Sequence, residues 1–156
     1  MGSGYMYRCT QCRRKYEVFE GVGFLFPMTC KETMEEILRG KHGEERQRVA
    51  LDTPGVRIDA RNVVYMCPAC GRWEVATDLT LYAPSASKGT TQNAAGQQEE
   101  GCMLPDRKGY RVVLPFAPEC AACHAPMRPA TEREIAALPC PRCGTPNHPL
   151  GSVCWD

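Results

Sequence analysis

Four Cys-x-x-Cys pairs, Cys9/Cys12, Cys67/Cys70, Cys120/Cys123 and Cys140/Cys143, constrain this chain more than anything else in it. Each pair bends the backbone so that two thiolates converge, and two such pairs complete a tetrahedral four-thiolate site. Together they hold eight of the eleven cysteines in a chain of 156 residues, far above ordinary cysteine usage. Disulfides are the competing cause. An odd count, no basic n-region followed by an apolar h-region, and no apolar run of membrane-spanning length argue against an oxidised, secreted framework. A reducing, cytoplasmic setting is the expectation. The opening MGSG has the composition of a cloning scar, with Met6 as an alternative start.

Residues 84–101 (PSASKGTTQNAAGQQEEG) contain no large apolar side chain and cannot bury enough surface to offset the cost of ordering. They read as a flexible linker or mobile loop. The linker divides the chain into modules 5–83 and 102–156, each with two Cys-x-x-Cys pairs. Charge does not single out either module. Twelve basic residues stand against eleven acidic ones before the linker and six against five after it, and the whole chain is +1. That excludes a global electrostatic pull toward nucleic acid or anionic lipid, though not a local basic patch.

In the first module Tyr16, Val18, Phe24 and Phe26 suggest strands broken by Gly21 and Gly23. Thr29 to Glu32 carries a capping-box pattern, with Met34, Ile37 and Leu38 on one helical face. Gly40 and Gly43 end that helix, and EERQRVAL suggests a second, so a helical insertion of about 28–51 is expected. Val63 to Tyr65 leads as a strand into CPACGR, and WEVATDLTLY leads out. In the second module Tyr110 to Leu114 is a strand candidate, and Thr131 to Glu134 opens a capped two-turn helix that Pro139 ends.

In CPACG and CPRCG, Pro68 and Pro141 pre-set φ inside the turn, while Gly71 and Gly144 accept the positive φ it needs. On Cys9, Cys12, Cys67, Cys70 with Gly71, and on Cys120, Cys123, Cys140, Cys143 with Gly144, the chain resembles the zinc-ribbon class and its rubredoxin-like relatives. The resemblance spans the knuckles and flanking strands, about half of the chain, and implies a fold rather than a function. CTQCRR and CAACHA depart from the pattern by lacking the glycine. The 54 residues between Cys12 and Cys67 also far exceed a ribbon loop. The expected fold is a small metal-stabilised α+β protein of two zinc-ribbon-like β modules, the first with the helical insertion. Two Zn2+ per chain are expected, each on four cysteines, with the pairs joined within each module because the linker separates the modules. A half this small would be marginal from burial alone, and structural zinc supplies about 10–16 kcal/mol.

Other chemistries fit less well. None of the four pairs precedes a convincing helix, as a thioredoxin-type dithiol requires. Iron in place of zinc, for rubredoxin-like electron transfer, accepts the same ligands, but the second module offers only Tyr110, Phe116 and Trp155 as aromatic cover. His124 and His148 read as loop residues, His42 as a partner for a helix C-terminus, and Cys30 as a buried apolar residue. Cys102 and Cys154 are left over. Closed four-thiolate sites leave no open coordination position, and HExxH, GxSxG, P-loop and GxGxxG motifs are absent, so catalysis is not expected.

The expectation is therefore a non-catalytic interaction module or adaptor whose partner is another protein. The alternative is nucleic-acid binding through Arg13, Arg14, Lys15, Arg72 and Arg142 on the knuckle loops, with Tyr16 or Trp73 stacking on bases. Arg46, Arg48, Arg57 and Arg61 form a second candidate cluster. No membrane and no small-molecule substrate are expected.

Overall fold

The computed structural model describes residues 2–23, 25–85, 104 and 107–155. In chain order the elements are β1 (Gly2–Arg8), β2 (Lys15–Glu20), α1 (Phe26–Leu38), α2 (Glu44–Asp52), β3 (Arg57–Ile58), β4 (Asn62–Met66), β5 (Trp73–Thr77), β6 (Leu81–Pro84), β7 (Tyr110–Leu114), β8 (Arg128–Pro129), α3 (Glu132–Ile135) and β9 (Pro149–Trp155). They form a small α+β structure with three antiparallel sheets, ordered β2-β1-β9, β5-β4-β8 and β3-β6-β7.

Two compact units interleave along the chain. Unit 1 comprises residues 1–25, 61–77 and 117–156, and unit 2 comprises residues 26–60 and 78–116. Each unit draws on both sides of residues 84–101, so the expected modules 5–83 and 102–156 are not the units. Pro84 ends β6 and the Ser85 amide donates to the Gly109 carbonyl at 2.7 Å. Residues 86–101 of the expected linker, and Cys102, lie outside the described residues.

Unit 2 holds both longer helices. α1 starts four residues earlier than a Thr29 cap implies. Pro27 occupies its first turn, where a fixed φ and a missing N–H carry no penalty. Phe26 is consequently helical rather than part of a strand, and Thr29 lies inside the helix, where its carbonyl accepts from Thr33 Oγ1 at 2.8 Å. Cys30, Met34 and Ile37 form the buried stripe, spaced i, i+4, i+7, while Leu38 is exposed. A Schellman turn closes α1: Gly40, at φ 81°, donates to the Ile37 carbonyl and Lys41 to that of Glu36. The stripe packs with Ala50 of α2 and with Ile58, Leu79 and Leu81. Cys30 is thus the buried apolar residue expected of it. β7 pairs with β6, Ala83 facing Arg111, so the strand expected to serve the last two knuckles belongs to unit 2.

Unit 1 contains the other two sheets, built alike. β1 is central between β2 and β9, and β4 is central between β5 and β8. Tyr7, Val18, Val64, Met66, Ile135 and Leu138 form its core, joined by the half-buried Tyr16 and Trp73. Tyr7 and Tyr16 stack at 4.9 Å with planes 2° apart, and Trp73 tilts against Tyr16 at 6.0 Å. Thr131 caps α3 through a reciprocal capping box with Glu134, as its sequence pattern anticipates.

Candidate metal centres

All four Cys-x-x-Cys pairs fold into one turn, repeated four times. In each, the amide of the first cysteine donates to the carbonyl five residues on: Cys9 to Arg14, Cys67 to Arg72, Cys120 to Ala125 and Cys140 to Thr145, at 2.7–2.9 Å. The residue after the second cysteine donates back to the first cysteine's carbonyl at 2.9–3.0 Å. Closing the turn places that residue at positive φ: Arg13 at 58°, Gly71 at 72°, His124 at 60° and Gly144 at 73°. Arg13 and His124 therefore adopt, at some strain, the conformation that glycine takes freely in the other two knuckles. The missing glycines do not change the turn.

Sheet pairing decides which knuckles meet. Cys9 and Cys12 lie between β1 and β2, and Cys140 and Cys143 precede β9, which pairs with β1 from Tyr7↔Pro149 onward. Cys67 and Cys70 lie between β4 and β5, and Cys120 and Cys123 precede β8, which pairs with β4 at Tyr65↔Pro129. The first group, Cys9, Cys12, Cys140 and Cys143, is site I, and the second, Cys67, Cys70, Cys120 and Cys123, is site II. Within each group the sulfurs all lie within 4.8 Å of one another. The expected pairing within each module is thus replaced by a nested one, outer knuckles with outer and inner with inner. Separation along the chain was a weak guide, because each doubling of loop length costs only about 0.6 kcal/mol, whereas the strand registers fix the partners.

The sulfur spacings suit a shared cation. Cys9 Sγ lies 3.4 Å from Cys143 Sγ, and Cys12 Sγ lies 3.6 Å from Cys140 Sγ. The same two distances recur at site II for Cys67–Cys123 and Cys70–Cys120. A tetrahedral site with metal–sulfur bonds of about 2.3 Å has sulfur–sulfur edges of roughly 3.8 Å, far beyond the ~2.05 Å of a disulfide. None of the ten described cysteines is in a disulfide. The first cysteine of every pair is buried, whereas Cys70, Cys123 and Cys143 are exposed.

The thiols do not titrate alike. Cys9 falls to about 6, chiefly because the Cys12 amide donates to its sulfur at 3.4 Å. For Cys12 the Arg14 amide favours the thiolate, but burial and the surrounding sulfurs outweigh it and raise the thiol to about 11. At site II, burial opposes ionisation of Cys67, yet amide donors led by Cys70 bring it down to about 6. The Ala125 amide favours ionised Cys123, but the Cys67 sulfur and burial push that thiol up to about 12. Four thiolates this close need a cation to coexist.

Beyond the ligands, the two sites differ. At site I the buried Asn147 ties the knuckles together. Its Oδ1 accepts from the Thr10 amide at 2.9 Å and its Nδ2 donates to the Thr145 carbonyl at 2.6 Å. Thr145 Oγ1 in turn donates to Gln11 Oε1 at 2.5 Å. The equivalent position at site II is Met127, equally buried. Each donates its amide to the carbonyl two residues before its knuckle, Asn147 to Leu138 and Met127 to Pro118. Asn147 was not foreseen. Its only signal is an amide side chain closely following CPRCG.

The aromatics proposed for stacking on bases are engaged inside the unit. Tyr16 Oη donates to the Leu138 carbonyl at 2.8 Å, Trp73 Nε1 to that of Pro139 at 2.7 Å, and Tyr7 Oη to that of Ile135 at 2.6 Å. Neither histidine joins a cysteine cluster. His124 pairs with Glu119 at 2.5 Å, and His148 Nδ1 lies 2.8 Å from the Ala136 carbonyl. His42 lies 3.3 Å from Glu36. Cys154 is exposed on β9.

The basic candidates divide between the sites: Arg13, Arg14, Lys15 and Arg142 on the knuckles of site I, and Arg72 on site II, all exposed. The second basic group splits too. Arg46, Arg48 and Arg57 belong to unit 2 and Arg61 to unit 1. Arg46 holds the Leu79 carbonyl at 2.8 Å and lies over the Phe116 ring at 5.4 Å. No family model matches the chain, and no curated protein or solved structure matches it significantly.

Proposed function

We propose that this is a zinc protein of two nested zinc ribbons and that it acts as a non-catalytic binding module. The observation that carries the reading is the closure of both centres. Four sulfurs around each point leave no coordination position for substrate or activating water, so the metal fixes loops rather than reacting. On this reading unit 2, with α1 and α2, is inserted in the chain as two segments, 26–60 after the first knuckle and 78–116 after the second. A partner meets surfaces that the metal holds in place, and a reducing compartment such as the cytoplasm keeps the thiols available.

Zinc is preferred to iron because three ligand cysteines are exposed, and a redox-inert ion tolerates that exposure. The shortage of aromatics that counted against iron does not hold for the folded unit, where Tyr7, Tyr16 and Trp73 pack together. Metal analysis therefore decides. Protein purified without added metal is expected to be colourless, with two zinc atoms per chain. A red preparation with thiolate charge-transfer bands would replace the reading with rubredoxin-like electron transfer, and fewer than two metals per chain would refute the two-centre account. No helix of the described residues is long and apolar enough to cross a membrane.

A further inference from the structure

The two centres have the same ligand types and the same turns but differently charged surroundings. Consider each knuckle with one residue before it and three after. Site I then carries Arg8, Arg13, Arg14, Lys15 and Arg142 and no acidic residue, whereas site II carries Arg72 and Glu119. In a chain of net charge +1 this is a steep local concentration of positive charge. Nested pairing creates it, because it brings the Arg142 loop, far along the chain, against the knuckle of Arg13 to Lys15.

The simplest explanation is neutralisation of the centre itself, since a four-thiolate zinc site carries about −2. Site II is the internal control. It would carry the same charge and manages with one arginine offset by one glutamate. The cations at site I exceed what the centre requires.

They are also placed at a cost. Arg8 and Lys15 face each other directly across β1 and β2, a like-charge pair that destabilises a sheet. Arg13 holds a left-handed backbone where glycine would be unstrained. All five are exposed, and none makes an ion pair among the described residues. An anionic partner would relieve the repulsion between Arg8 and Lys15.

We infer that the site I knuckles bind the phosphate backbone of a nucleic acid; this rests on the binding-module reading above. Phosphates fit closely spaced guanidinium groups, which grip them bidentately. Tyr16 and Trp73 are hydrogen-bonded into unit 1 and packed on one another, so neither of these two aromatics is a free stacking platform, and recognition goes through the backbone rather than the bases. Binding is therefore independent of sequence, and duplex is bound at least as well as single strand.

The test is fluorescence anisotropy of the zinc-loaded protein with a labelled mixed-sequence duplex and the matching single strand over a salt series. Wild type is expected to bind at low salt with a log–log slope of about −4, near the limit for five phosphate contacts. The variant Arg13→Gly/Arg14→Ala/Lys15→Ala/Arg142→Ala, in which glycine suits the knuckle, is expected to lose at least about 100-fold in affinity and most of the slope. Arg14→Ala and Lys15→Ala alone each reduce the slope by about 0.9, and Arg72→Ala at site II leaves binding unchanged.

No binding at low salt, a flat salt dependence, or an equal loss in Arg72→Ala would overturn the inference. So would tighter binding to polyglutamate, which would indicate an acidic protein partner, or to phosphatidylserine vesicles. Metal content is read on the same samples. Wild type with fewer than two metals refutes the zinc reading, whereas two metals without duplex binding refutes this inference alone.

Discussion

Replacing Asn147 with alanine should loosen site I and spare site II. The side chain is 3% exposed and bridges the two knuckles, accepting from the Thr10 amide and donating to the Thr145 carbonyl. Truncation leaves the Thr10 amide without its partner, while the Thr145 carbonyl keeps the Cys140 amide. A buried donor so orphaned costs about 1–3 kcal/mol, so the loss is roughly 2 kcal/mol. Because the bridge exists only when the knuckles are docked, this energy should appear in metal affinity at site I, as about a 30-fold loss. Site II has Met127 at the equivalent position and no such bridge. Chelator competition on the loaded protein should therefore show the site I metal released about 30-fold more readily than in the wild type and the site II metal unchanged. Equal weakening of both sites, or no change in either, would refute the reasoning. Asn147→Met, which copies the residue at site II, should lose the same hydrogen bonds while keeping bulk in the space.

Three further outcomes follow from the same geometry. Gly144→Ala or Gly71→Ala, where nothing lies within 4 Å of an added Cβ but φ is positive, should cost about 1–2 kcal/mol in denaturant unfolding of the loaded protein, and no loss would contradict the turn geometry. Burial holds the Tyr7 phenol neutral up to about 12 while its hydroxyl donates to the Ile135 carbonyl. With the folded value raised above the ordinary ~10, this contribution is complete below pH ~10 and fades as pH rises through about 12. Tyr7→Phe should accordingly remove the late step from a tyrosinate absorbance titration, and an unchanged late step would contradict the assignment. Chelation should unfold unit 1 while the helical circular dichroism of α1 and α2 persists, since unit 2 contains none of the eight paired cysteines; simultaneous loss of both signals would contradict that independence.

The ligands were legible in the sequence and their partnership was not. Cys-x-x-Cys spacing, Pro68, Pro141, Gly71 and Gly144 specify the turn locally, and the turn forms even where Arg13 or His124 stands in the glycine's place. The Thr131 capping box was legible for the same reason, being confined to four residues. Which knuckles meet depends on β9 pairing with β1 and β8 with β4, a register set by residues more than 60 positions apart. Nothing local encodes that. Composition misled in a similar way at Tyr16 and Trp73. Each lies close after a cysteine pair, the position that suggested base stacking, yet its polar atom serves a backbone carbonyl at residues 138–139. At α1, Pro27 outweighed the downstream capping pattern because it fits the first helical turn at no cost.

The nested partnership is the central claim, and cadmium-substituted protein tests it most directly. Metal–proton correlation NMR should connect one cadmium to the β-protons of Cys9, Cys12, Cys140 and Cys143, and the other to those of Cys67, Cys70, Cys120 and Cys123. A cadmium correlated with Cys9, Cys12, Cys67 and Cys70 together would contradict it.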